Sequence, residues 1–313
     1  MYNGSNWAAM DGNYNAENVY FNDNFMVTSP IGTITSIPGG NVTLNAKGKN
    51  IKQVLTSLLT AKKNPSASQP YASITLINSG VYEVGYKVTP GWKTSFNSGS
   101  YTYGPSTGVT DNGGSVSSSK GDHETIAAGN LNSASGVFDE YQVTDNSNYK
   151  ASLTYGWNAG TTTPVDNLGN LYSAVKIDAA SEKIVNSSGS ISGYRAWFKG
   201  GLATDSTTPL TSDIIRSLGP SSGSISNTTF ELKAASYANC KRIVIAIPAA
   251  SGKGITRVDL KSNSNQDITT EFIKQTTTIN VNGLNDYTAK PYNVWIYEPD
   301  RLDSSEVYTI TIG

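Results

Sequence analysis

From residue 66 to its C-terminus the chain is a succession of short runs in which apolar and polar residues alternate, cut every few positions by Asn, Ser and Gly. That alternation leaves few architectures open. Successive side chains of a strand point to opposite faces, so a period of two specifies a sheet with one buried face. Short strands at regular spacing, separated by turn residues, specify a sandwich or barrel. Tyr71-Ala72-Ser73-Ile74-Thr75-Leu76 alternates along its length, and Tyr82, Val84, Tyr86 and Val88 alternate with Glu83, Gly85 and Lys87. Tyr101 and Tyr103 flank Thr102, and residues 137–143 and 149–157 read as two further strands. Asn78-Ser79-Gly80, Asn97-Ser98-Gly99 and Asp111-Asn112-Gly113-Gly114 read as turns, and the Gly/Ser-rich stretch 113–122 as an exposed loop. The expectation is a first immunoglobulin-like (Ig-like) β-sandwich over residues 66–170, without the Cys…Trp…Cys core of antibody domains.

Residues 171–200 read as a connecting segment, with a turn at Ser187-Ser188-Gly189-Ser190 and a strand or anchor at Tyr194-Arg195-Ala196-Trp197-Phe198. A second β-rich, Ig-like domain is expected over residues 201–313, with a short helix near 212–218. The nearly continuous apolar run of Arg242–Pro248 predicts a central strand buried on both faces. Residues 278–281, 292–297 and Val307–Ile312 read as further strands.

The first 65 residues follow neither rule. Over residues 1–48, Trp7, Met10, Tyr14, Tyr20, Phe21 and Phe25 are spaced by Asn, Asp and Gly with no helical or strand period. Two readings stand: a floppy terminus, or an extended arm that orders against a partner. The expectation carried forward is the arm, with these six aromatic and apolar residues as its attachment contacts. Residues 49–65 read as a short amphipathic helix and linker. Ile51, Val54, Leu55, Leu58 and Leu59 fall on one face, Asn50 serves as N-cap and Asn64-Pro65 as the stop. That face is expected to pack on a sheet or on a neighbouring subunit. The fold expectation is all-β with a short helix: two Ig-like β-sandwiches preceded by an extended N-terminal arm.

Composition excludes several classes. Hydrophobic residues make up 37% and charged residues only 15%, so Ser, Thr, Asn and Gly fill the difference, as turn-rich sheets require. The net charge is −1, and Lys62-Lys63 and Lys241-Arg242 are too short to form a nucleic-acid footprint. No run approaches the ~20 apolar residues of a membrane span. The polar N-terminus lacks a basic region followed by an apolar one, so no secretory signal is expected. A single cysteine, Cys240, precludes an intrachain disulfide and suits folding in a reducing cytoplasm.

Catalytic spacing is not evident. The one histidine stands in Asp122-His123-Glu124, where strand neighbours would diverge rather than converge on a metal. No nucleophile elbow accompanies it. Cys240 precedes an apolar strand and reads as a small buried hydrophobe. Gly252-Lys253-Gly254 lacks phosphate-loop spacing, and Asp145-Asn146, Asp166-Asn167 and residues 263–267 read as turns rather than calcium loops. Asp139-Glu140 and Glu298/Asp300 are carboxylate neighbours of the surface kind, and Trp92, Trp157, Trp197 and Trp295 read as core or interface anchors rather than a sugar platform. The expectation is no enzyme, no cofactor and no metal.

The order of segments carries a resemblance. Lys47-Gly48-Lys49 leads into the helix. NPSASQPYASITL (64–76), YEVGYKVTPGWKTSFNSGSYTYGPSTGVT (82–110) and FDEYQVTDNSNYKASLTYGWNAGTTTPVDNLGN (138–170) follow. GYRAWFKGG (193–201), LTSDIIRSL (210–218), KRIVIAIPA (241–249) and YNVWIYEP (292–299) complete it. Over about residues 45–313 the chain resembles structural proteins of tailed bacteriophages, including the crAss-like gut phages. The resemblance implies a virion protein made in the host bacterial cytoplasm: a capsid-attached head fibre or decoration protein, or alternatively a tail-associated appendage or receptor-binding module. Its implied partners are other virion proteins of capsid or tail and copies of itself, a trimer being the usual state. Weak contact with host glycans is open to its loops, and neither nucleic acid nor membrane is an expected partner. The reading of another class is a carbohydrate-binding adhesin module of a bacterial surface.

Overall fold

A computed structural model describes residues 19–27, 42–237, 239–261, 264–299 and 305–313. The protein is all-β with a few short helices. Among the described residues no helix is long and apolar enough to cross a membrane. Of the expected attachment contacts, Trp7, Met10 and Tyr14 lie outside the described residues.

The described parts of the arm do not stand apart from the helix. Strands Phe25–Val27 and Val42–Leu44 pair antiparallel, Tyr20 bridges to Asn50, and Phe21 bridges to Lys47. Helix α1 spans Ile51–Leu59 and starts in a capping box: Asn50 accepts from the Gln53 N–H, and Gln53 accepts from the Asn50 N–H. It ends earlier than the expected stop, at Thr60. Ala46, Val54 and Leu58 form a small core, with Phe21 and Leu44 packed against it. The expected boundary between arm and helix at residue 48 therefore falls inside one small unit, because the helix buries Val54 and Leu58 against the arm's own apolar residues.

In the first β-region, strand Gly91–Asn97 lies between Tyr71–Ile77 and Ser135–Val137 in a three-stranded antiparallel sheet. A four-stranded sheet runs in the order His123–Ile126, Asp111–Ser118, Ala151–Trp157, Ala180–Asn186. Ala72, Ile74, Leu76 and Trp92 of the first sheet share one core with Val116, Ile126, Leu153, Tyr155 and Trp157 of the second. Tyr71–Ile77 alternates strictly between exposed and buried positions.

Three expectations are corrected here. Residues 113–118 are not an exposed loop but most of a strand with partners on both sides. The reason is close approach: a Cβ on Gly114 would stand 2.1 Å from the Thr154 carbonyl oxygen, and one on Gly113, at φ +75°, 2.3 Å from that of Ile126. The glycines of the supposed turn let a central strand sit between its neighbours. Residues 82–88 break into strands Gly80–Glu83 and Lys87–Val88, because Gly85 turns at φ +91°. Residues 171–200 are not merely a connection: Ala180–Asn186 closes the four-stranded sheet, and Ile191–Tyr194 runs parallel to Gly80–Glu83.

The second β-region stacks a six-stranded sheet against a four-stranded one. The larger sheet centres on Arg242–Pro248, between Phe198–Leu202 and Lys290–Tyr297. Gly219–Pro220, Ile273–Lys274 and Ile279–Val281 lie toward its edges. The smaller sheet runs Thr228–Lys233, Val307–Ile312, Ile255–Leu260, Gln266–Asp267. Every residue of Arg242–Pro248 is buried. Ile243, Ile245 and Ile247 face the core shared with Tyr308 and Ile310, whereas Val244 and Ala246 face Ile215 and Leu218 at helix α2 (Ser212–Arg216).

The two regions are fastened through Arg195, Arg216 and residues 284–285. Arg195 donates from Nε and Nη2 to both carboxylate oxygens of Asp145, at 2.6 and 2.9 Å, and from Nη2 to the Thr288 carbonyl at 2.7 Å. Arg216 donates to Glu83 and to the Asn282 carbonyl, each at 2.8 Å. The Leu284 N–H donates to the Val84 carbonyl, and Asn285 to that of Gly85.

Candidate functional site

Two places on this frame have the character of a site. The first is the N-terminal unit. Among the described residues, five of the thirteen exposed large apolar side chains lie within residues 19–60: Tyr20, Phe25, Met26, Leu55 and Leu59. The other eight are spread along residues 71–273, as on any surface. Leu55 is 48% and Leu59 76% exposed, so the expected helix face divides. Val54 and Leu58 point inward, Ile51 is half-buried, and the two leucines look out. Phe21 is half-buried and meets Phe25 edge-on at 4.9 Å. This unit has its own small core and is tied to the first β-region by Asn167, which accepts from the Lys63 N–H and donates to the Ala61 carbonyl.

The second place is a cleft of about 720 Å³ on the second β-region. Strand Arg242–Pro248 supplies Arg242, the segment after Phe198–Leu202 supplies Ser206 and Thr208, and the edge around Ile273–Lys274 supplies Glu271, Gln275 and Thr277. Tyr297 and Glu298 close it at the end of Lys290–Tyr297. Arg242 is 1% exposed. Its Nη2 donates to the Thr208 carbonyl at 2.9 Å and to Thr204 Oγ1 at 3.3 Å, and its Nε donates to nothing. In sequence the guanidinium looked like half of a short basic pair. Its neighbour behaves otherwise: Lys241 pairs on the surface with Asp205, whose carboxyl is held down to about 2 by hydrogen bonds from Thr207 first and Lys241 next. Only the registry of the folded strand separates the two cations, placing Lys241 outside and Arg242 inside.

The residues singled out for chemistry do not converge. His123 is exposed, its Nδ1 3.1 Å from Ser117 Oγ, while Asp122 turns to Ser118 and Tyr149. Burial pushes the Tyr149 phenol up to about 12. Among the described residues no three His, Cys, Asp or Glu side chains come together as metal ligands. Cys240 is half-buried against the second core, and burial raises its thiol. Asp166 is buried in a turn. Burial pushes its carboxyl up, but the Asn170 side chain, the N–H groups of Asn170 and Leu168, and Lys62 together hold it below its ordinary value. Asp145 belongs to Arg195 and Glu140 to Lys87, and Glu298 accepts from the Ser206 N–H at 2.8 Å. Asp300 lies outside the described residues. Trp92, Trp157 and Trp295 are buried, and Trp197 stacks obliquely on Phe230. Comparison of the chain with family models, curated proteins and solved structures finds no match.

Proposed function

We propose that this is a non-enzymatic structural protein of a bacteriophage virion, a head fibre or decoration protein mounted on the capsid through its N-terminal unit. The observation that carries the reading is the concentration of exposed apolar side chains on that unit: Tyr20, Phe25, Met26, Leu55 and Leu59. Each Å² of apolar surface left in water costs about 25 cal/mol, so several exposed apolar side chains on one small unit favour a cover. Self-association through Leu55 and Leu59, as a trimer, with shell contacts through the arm, supplies that cover.

The mounted body is read as two Ig-like sandwiches. Seven principal strands of the first region support this. In chain order, the first, second and fifth form one sheet, and the third, fourth, sixth and seventh form the other. This is a Greek-key division of the kind Ig-like sandwiches use. The bidentate Arg195–Asp145 pair and the Arg216–Glu83 pair couple the regions, as a projecting appendage needs. A tail-associated or receptor-binding role is the second reading, and the cleft beside Arg242 favours it.

The test is incorporation. Removal of residues 1–60 should leave the body folded, by circular dichroism, and absent from purified particles, by quantitative mass spectrometry. Truncated protein present at the full copy number overturns the mounting role. Failure to detect the full-length chain in any particle overturns the virion assignment.

A further inference from the structure

The cleft on the second β-region holds a charge that the fold does not balance. A buried guanidinium is costly unless a carboxylate or a full set of acceptors meets it. Arg242 is 1% exposed, has two acceptors, both on Nη2, and leaves Nε without one. Among the described residues no carboxylate forms an ion pair with it. The strand register would have allowed one. Ile243 stands opposite Tyr297, so Glu298 follows at the position facing Arg242, yet Glu298 is drawn away to the Ser206 N–H. The guanidinium is held in place by the Thr204–Thr208 segment, its Nε is shielded and without an acceptor, and Arg242 lines the wall of a cleft open to solvent.

The rest of the lining narrows what would use it. Glu271, Gln275 and Thr277 are exposed around the opening and offer acceptors and donors to hydroxyl groups. Ile273, Ile296 and the Tyr297 ring give apolar surface between them. A polyanion, whether acidic peptide or nucleic acid, would set many charges against Glu271 and Glu298. A neutral sugar would leave Arg242 unanswered. A ligand with one carboxylate, several hydroxyls and apolar C–H faces meets every wall. The volume of about 720 Å³ lies within the range of small-ligand sites and has room for two or three sugar rings.

We propose that this cleft binds a carboxylate-bearing saccharide, a short glycan containing a uronic or similar sugar acid, with its carboxylate on Arg242 and its hydroxyls shared among Glu271, Gln275 and Thr277. The site belongs to the second β-region and does not depend on how the N-terminal unit is mounted.

The test is titration calorimetry on the full chain with three probes: a glucuronate-containing disaccharide, the matching neutral disaccharide, and an acidic hexapeptide. The acidic disaccharide is expected to bind, with the neutral one weaker by about tenfold or more, the weight of one charge-assisted hydrogen-bonded contact. Arg242→Gln should erase that difference. Because Arg242 also ties the Thr204–Thr208 segment, Gln275→Ala and Thr277→Ala serve as a second pair of variants on exposed positions. Each should weaken the acidic disaccharide about threefold or more without lowering the melting temperature. Equal binding of the two disaccharides, tighter binding of the peptide, or binding of none overturns the proposal. In the last case Arg242 is a tie for the Thr204–Thr208 segment alone.

Discussion

The two β-regions solve the same burial problem differently. In the first, two sheets face each other and each strand has one dry side, so Tyr71–Ile77 reads exposed, buried, exposed along its length. In the second, the larger sheet is covered on both sides, by the smaller sheet and by the elements around α2, and Arg242–Pro248 is buried throughout. The difference shows that strand periodicity reports the number of layers as well as the presence of strand. The largest predicted effect tests this. Ile245→Asp and Val244→Asp, on opposite faces of one strand, should each cost several kcal/mol, on the order of 4 or more, and unfold the second region. In the first region Ile74→Asp should do the same, while Thr75→Asp should stay within about 0.5 kcal/mol of wild type. Urea melts followed by tryptophan fluorescence decide it. A tolerated Val244→Asp would mean that the outer face of the second region is not covered.

Glycine separates what was legible in the sequence from what was not. The strands read at 71–76, 242–248, 292–297 and 307–312, the cap at Asn50 and the short helix near 212 follow from local period and cap chemistry, and the folded chain has them, the first strand running on to Ile77 and the third starting at Lys290. Asp111–Ser118 was invisible for a physical reason. Its Gly and Ser residues have turn propensity, and only the approach of Thr154 on one side and Ile126 on the other shows that small residues are required there. Ala180–Asn186 was missed because its residues are mostly exposed, so no apolar alternation marks it. The cleft was hidden more deeply. Nothing in Lys241-Arg242 says which cation points inward, since that depends on the pairing of Arg242–Pro248 with Phe198–Leu202 and Lys290–Tyr297, far away in sequence.

The glycine argument gives the second effect. Gly114→Ala places a methyl 2.1 Å from a backbone oxygen that cannot swing aside, whereas a Cβ on Gly223 meets nothing within 4 Å. The first substitution should cost about 1–3 kcal/mol and the second close to nothing, by thermal melts. Equal effects would show that the central strand has room to spare.

A third contrast lies at the seam. Arg195→Met leaves Asp145 and the Thr288 carbonyl without their donor and should cost about 2 kcal/mol, reduced from the fully buried case because Asp145 is partly exposed. One melting transition should separate into two as the regions uncouple. The pH dependence has a definite sign. Hydrogen bonds from Arg195, opposed by burial, hold the Asp145 carboxyl below its ordinary 3.8. Its contribution is therefore complete above that value and fades as pH falls through the lowered one. The stability gap between wild type and Arg195→Met should be widest at neutral pH and narrow as pH falls below the ordinary carboxylate value of 3.8. A gap that widens on acidification would mean that the pair does not fasten the seam.

The smallest effect is expected where the sequence pattern suggested a large one. Leu55 sits on the apolar stripe of α1, and a stripe of that kind ordinarily meets the protein's own core. Among the described residues the stripe of α1 meets Phe21, Leu44 and Ala46, and they cover Val54 and Leu58 but not Leu55 or Leu59. Leu55→Asp should therefore change the stability of the isolated chain by only about 0.5 kcal/mol, the difference in helix propensity. It should act instead on association, since a carboxylate placed between subunits must be desolvated without a partner. Sedimentation velocity on wild type and variant at matched concentrations separates the two roles. A fall from trimer to monomer with an unchanged melting temperature makes the outer leucines a subunit contact. A wild type that sediments as a monomer removes the trimer, and a large drop in melting temperature places Leu55 against its own chain.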